Sequence, residues 1–193
     1  MSRKAIKFNN LVLIDDAYLN DYIAEPENSQ TRENRYKILL SLLSKKYNIK
    51  KTYVISSSGT DEYINNDFKK IKNNNLFETS SPYHNSLKES ILEEITRHIN
   101  GSESTLILMD YKICNSNVYE EEQKAKAVAR EIVKELSENE KHKIVLFSKG
   151  PINKNELDDD ISKNIFVAED MYFGSPSSIA ENIEELLGGE QSG

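Results

Sequence analysis

The sequence predicts an α/β fold, a doubly wound five-stranded parallel sheet of order 2-1-3-4-5 carrying insertions. Two observations predict it. Five short apolar runs recur along the chain: Leu11 to Ile14, Thr52 to Ile55, Thr105 to Met109, Lys143 to Phe147 and Asn164 to Ala168. Each is continuous rather than alternating and rich in branched or aromatic residues, which is how strands buried on both faces read. Amphipathic helical patterns separate the runs, and regular alternation of strand and helix requires a parallel sheet covered on both sides.

The helical stripes are specific. Tyr36, Leu39, Leu40 and Leu43 share one face after the first strand. Leu87, Ile91, Leu92 and Ile95 share another, with Asn85 or Ser86 as the expected N-cap. Val118 to Glu138 reads as a long charged helix with its apolar stripe at Ala125, Val128, Ala129, Ile132, Val133 and Leu136. Ile179, Ile183, Leu186 and Leu187 mark a last helix, opened by Ser175-Pro176 and closed by Gly188-Gly189. A short helix is expected over Asn153 to Ile161. Residues 1–187 thus read as one domain, with insertions at about 17–30 and 56–83 and a flexible tail over 188–193. The second insertion should hold a short helix around Tyr63 to Ile71.

Composition narrows the function. Charged residues make up 30% of the 193 and the net charge is -7. A surface of that sign repels phosphate backbones and anionic lipids, and no basic patch is segregated against it, so neither nucleic acid nor membrane is an expected partner. The lone Cys114 forbids an internal disulfide, and no apolar stretch spans a bilayer or forms a signal peptide. The expectation is a cytoplasmic protein. With 7 glycines and no phosphate-cradling glycine motif, nucleotide chemistry is disfavoured.

In an open parallel sheet, ligands meet the carboxyl ends of the strands. Asp15 and Asp16 follow the first run, Asp110 the third, Ser148 and Lys149 the fourth, Glu169 and Asp170 the fifth. Three carboxylates from neighbouring strands cannot all stay ionised without a cation between them, and hard oxygen donors suit Mg²⁺. The null for each aspartate is a loop cap.

These residues resemble the receiver domains of two-component response regulators, which share the flavodoxin-like sheet. Leu11-Val-Leu-Ile-Asp-Asp16 looks like the family's first strand and acidic pair, Leu106-Ile-Leu-Met-Asp110 like the strand ending in the phospho-acceptor, and Ile144-Val-Leu-Phe-Ser148 like the strand ending in the switch hydroxyl. Phe166 falls at the switch aromatic position. The resemblance covers the core strands and leaves out the insertions. It implies that Asp15, Asp16, Asp110 and the backbone carbonyl of Lys112 bind Mg²⁺, Asp15 through water. It implies that Asp110 takes a phosphoryl group from a histidine kinase or a small phosphodonor, in a phosphorelay rather than as a turnover enzyme, and that Ser148 then bonds a phosphoryl oxygen. The surface from Asn153 to Leu187 would dock another protein or dimerise. Two departures stand out: Glu169 occupies the place of the family's lysine, which Lys149 could replace, and Cys114 lies where a proline is usual.

The principal expectation is therefore a stand-alone, response-regulator-like signalling protein. Its rival is a pseudo-receiver, an interaction module of the same fold without phosphorylation, supported by Glu169 and the insertions. A third reading, a metal-dependent phosphohydrolase with Asp15 as nucleophile, wants a second aspartate where Ala17 stands.

Overall fold

The computed structural model describes residues 6–15, 26–56, 68–72, 84–113, 119–148, 152, 153, 155, 157, 163–168 and 175–188. In chain order these form β1 (Asn10–Ile14), α1 (Pro26–Tyr47), β2 (Lys51–Ser56), β3 (Phe68–Lys72), α2 (His84–His98), β4 (Thr105–Asp110), α3 (Tyr119–Ser137), β5 (His142–Phe147), β6 (Ile165–Ala168) and α4 (Pro176–Gly188). The strands form one all-parallel sheet of order β3-β2-β1-β4-β5-β6. All its strands but β3 are the five apolar runs, in the 2-1-3-4-5 arrangement that the sequence predicts.

Continuous apolar runs become strands here because both faces of the sheet are covered. Every residue of β1 and β4 is buried. Odd and even positions feed different cores. Val12, Ile14, Ile107, Met109, Ile144 and Leu146 pack with α2 and α3; Leu11, Leu13, Leu106, Leu108, Val145 and Phe147 pack with α1 and α4. Ile152 and Leu157 add to the α2–α3 side. Apart from these flanking contacts, the short helix expected over Asn153 to Ile161 falls largely outside the described residues.

The second insertion is corrected. Phe68 and Ile71, three apart, mimic a helix face, but Phe68 to Lys72 pairs along β2 as a parallel strand, from Thr52↔Phe68 to Ser56↔Lys72. Tertiary pairing overrides the local pattern. Lysine at three of its five positions suits the outermost strand of the described sheet, where charge discourages further pairing. The first expected insertion shortens, because α1 already starts at Pro26, in the favoured first helical position. Likewise α2 starts at His84, so Asn85 and Ser86 lie inside its first turn rather than capping it.

Helix ends follow local chemistry. At the end of α1, Asn48 adopts a left-handed φ of 53°. The Ile49 amide then reaches back to the Ser44 carbonyl at 2.9 Å, the bond that closes a Schellman motif. At the start of α4 the Ser178 amide donates to Ser175 Oγ at 3.2 Å, the expected cap. At the amino ends of the strands, buried Asn10 donates to Glu103 at 2.9 Å and to Thr105 at 3.3 Å.

Two buried groups test this packing. Tyr47 packs edge-on against Phe8 with ring centroids 5.2 Å apart. Among the described residues, its hydroxyl oxygen is the buried side-chain polar atom that no hydrogen bond satisfies. Burial, and then Glu184, push its pKa up to about 12. Since nothing is lost with the hydroxyl but an unsatisfied dipole, Tyr47→Phe should leave the unfolding free energy unchanged or raise it by about 1 kcal/mol, measured by denaturant titration.

His142 opens β5, buried rather than in a loop, with Nδ1 2.9 Å from the Leu136 carbonyl oxygen. Burial holds its pKa below the usual 6.5, partly offset by that carbonyl. The folded state therefore binds fewer protons than the unfolded one, and stability is lost as pH falls through the ordinary histidine range. Between about pH 7.5 and about pH 5.5, wild type should lose more unfolding free energy than His142→Gln does.

Candidate functional site

The sheet order reverses between β1 and β4: β2 lies on the far side of β1 and β5 on the far side of β4. That switch point opens a crevice at the carboxyl ends of the strands. Ile14 pairs with Met109, so the next residues along, Asp15 and Asp110, stand side by side. Their backbones are about 4.8 Å apart, the ordinary strand spacing. Asp15 keeps the ladder with β2, its amide donating to the Ile55 carbonyl at 3.1 Å. By alternation both carboxylates leave the sheet on the α1–α4 side. Asp15 is fully buried and Asp110 nearly so, at 0% and 5% exposure.

Beyond β4 the chain is held residue by residue. The Tyr111 amide donates to the Phe147 carbonyl at 2.7 Å. The Lys112 amide turns back and donates to Asp110 Oδ1 at 3.0 Å, orienting the carboxylate. Tyr111 is buried in the α2–α3 core, where Arg130 Nη1 donates to its hydroxyl at 2.8 Å and Lys126 Nζ lies 5.9 Å from its ring centroid. Half-buried Lys112 pairs through Nζ with Glu122. The Lys112 hydrogen bond, and then the charges of Lys112 and Lys126, hold the Glu122 carboxyl below its usual 4.5 against a smaller opposing effect of burial. Glu122, Lys126 and Arg130 recur every four residues along α3, so one stripe of that helix grips the turn after Asp110. The sequence hides this stripe, because charges at i, i+4 and i+8 read as a solvated face.

The other expected site residues are placed less closely. Ser148 follows Phe147, which pairs with Asp110, so the hydroxyl begins one residue beyond the carboxylate level on the adjacent strand. Phe166 pairs with Val145, two residues short of that level and two strands from Asp110. It is half-buried against the α1–α4 core, with Lys143 Nζ 5.9 Å from its ring centroid. Asp16, Lys149 and Glu169 lie outside the described residues, as does Cys114.

Two adjacent buried carboxylates supply hard oxygen donors of the kind a divalent cation takes. Among the described residues, no group of three or more His, Cys, Asp or Glu side chains is placed to hold a metal ion. Among the described residues, too, no helix is long and apolar enough to cross a membrane. Comparison of the chain with protein-family models, with curated proteins and with solved structures finds no match.

Like charges held together in a buried end cost stability. Asp110→Asn keeps the oxygen that accepts the Lys112 amide and removes one of the two charges. With divalent cations chelated, it should raise the unfolding free energy by about 1 kcal/mol in denaturant titration. A fall would show that the charge of Asp110 is needed by the fold.

Proposed function

We propose that the protein is a receiver-type signalling protein in which Asp110 accepts a phosphoryl group. The observation that carries the reading is the pairing of Asp15 and Asp110 at the switch point of the sheet, with the Lys112 amide fixing the Asp110 carboxylate. Asp110 presents a carboxylate whose orientation is set before any donor arrives, which lowers the entropic cost of in-line attack.

In the transfer, a carboxylate oxygen of Asp110 forms a bond to phosphorus. The bond from phosphorus to the donor's nitrogen or oxygen breaks, and the donor leaves with that electron pair. Mg²⁺ held by Asp15, Asp16, Asp110 and the Lys112 carbonyl would offset the charge of the phosphoryl oxygens. Ser148, beginning just past Phe147, would donate a hydrogen bond to one of them. The signal would then pass to a protein partner or a second copy by a change in the segment after β5. A histidine kinase is the expected physiological donor.

One observation favours a second reading. In the sequence Glu169 stands where the receiver family keeps its lysine, and a carboxylate in that role would oppose a phosphorylated Asp110. In that case the chain is a pseudo-receiver that binds its partner without phosphorylation.

Acetyl phosphate with Mg²⁺ separates the two. Intact mass spectrometry should show one added phosphoryl group on wild type, and none on Asp110→Asn or when EDTA replaces the metal. Wild type that gains no mass under these conditions excludes the first reading. Partner capture that is indifferent to Asp110→Asn supports the second.

A further inference from the structure

Asp110 does not end its strand in a free loop; it ends it in a turn that α3 holds by three side chains. Glu122 takes the Lys112 ammonium, Lys126 lies over the Tyr111 ring, and Arg130 donates to the Tyr111 hydroxyl. Tyr111 is 1% exposed and can move little. Lys112 is different. Its side chain and that of Glu122 are each 27% exposed, and a long flexible stem carries its charge.

A phosphoryl group adds about two negative charges beside a carboxylate, Asp15, that is already fully buried. A cation within reach of Asp110 would bind that added charge. Lys112 is tied to that place by its own backbone, since its amide is bonded to Asp110 Oδ1. Its ammonium at present neutralises one carboxylate, and phosphoryl oxygens offer a denser negative charge for the same three donors.

Resting on the phosphoryl-acceptance reading above, we propose that Lys112 is the cation that binds the phosphoryl group on Asp110 and that Glu122 is its resting partner. Phosphorylation then draws the ammonium off Glu122 and unlatches the first turn of α3. Glu120, Glu121 and Glu122 stand together in that turn, so losing the lysine leaves three acidic side chains there. The favourable pairing of acidic groups with the helix amino terminus is retained, but the cross-link to the acceptor turn is not. Tyr119, 73% exposed at the head of α3, would be released with it. The acceptor turn would thus report on α3 as well as on the segment after β5.

The test uses the full chain with acetyl phosphate and Mg²⁺, read by intact mass and by hydrogen exchange of the amides from Gln123 to Ala127, the first that donate within α3. In wild type, phosphorylation should speed exchange of those amides by about tenfold, the size expected for losing a hydrogen bond between charged groups. Lys112→Met should lower the phosphorylated fraction at a given time by about tenfold, with Lys112→Arg restoring most of it. Glu122→Gln, which keeps the lysine, should show the faster exchange before any phosphodonor is added. If Lys112→Met proves unfolded, the Glu122→Gln exchange pattern decides alone. Wild type that is phosphorylated while Lys112→Met matches it in rate, or while α3 exchange stays unchanged in both wild type and Glu122→Gln, overturns this role and leaves phosphoryl acceptance standing. Wild type that takes no phosphoryl group overturns both.

Discussion

The constraint on which the rest depends is the complete enclosure of β1. It is hydrogen-bonded on both edges, to β2 and β4, and covered on both faces by helices. All five of its residues are buried, so its sequence must stay apolar until the strand ends. The polar side chains at its two ends are treated differently. Asn10 enters buried but neutral, and two neighbours satisfy its amide. Asp15 leaves with its carboxyl group buried, beside a second one brought to the same level by the pairing of Ile14 with Met109. Enclosure therefore decides where chemistry can begin.

The same enclosure explains why α3 does two jobs. Its apolar stripe, Ala125 to Leu136, seals the α2–α3 side of the sheet. A helix packed that closely has flanking positions within reach of whatever leaves the sheet, and Glu122, Lys126 and Arg130 occupy them. The opposite pair of helices is joined with less polar detail: Lys46 of α1 meets Glu184 of α4 at the surface, where an ion pair contributes little. So the turn after Asp110 is held from the α2–α3 side.

What the sequence made legible follows from range. The five strands from β2 to β6 across the sheet were readable because burial on both faces writes itself as an unbroken apolar run. Of the candidate site, the strand-end positions were readable: Asp15 and Ser148 follow their strands directly, Asp110 ends its own, and register sets the two aspartates side by side. Phe68 to Lys72 was not readable, since five residues with three lysines carry no strand period and their strand character comes from β2. The start of α1 was hidden for a similar reason, because Pro26 to Asn34 is polar all round and shows no stripe. The grip of α3 on Tyr111 and Lys112 was invisible because it joins residues far apart in the chain through polar atoms, and no local periodicity records such a contact. Phe166, singled out by its place in the sequence, lies on the edge strand β6, two residues short of the carboxylate level.

A buried group in conflict with its surroundings is informative only when the alternatives are weighed beside it. Most buried polar side chains here are settled locally: Asn10 by Glu103 and Thr105, His142 by the Leu136 carbonyl, Asn164 by Lys143. Tyr47 is unsettled, but it is neutral and packs against Phe8 just before β1, where its cost is that of one missing hydrogen bond. Asp15 and Asp110 differ in kind. Neither lacks a partner, but two carboxyl groups are buried side by side. An inner sheet that is apolar along its length and turns to two adjacent buried carboxyl groups at its switch point concentrates its polar departure at the place where open parallel sheets meet their ligands.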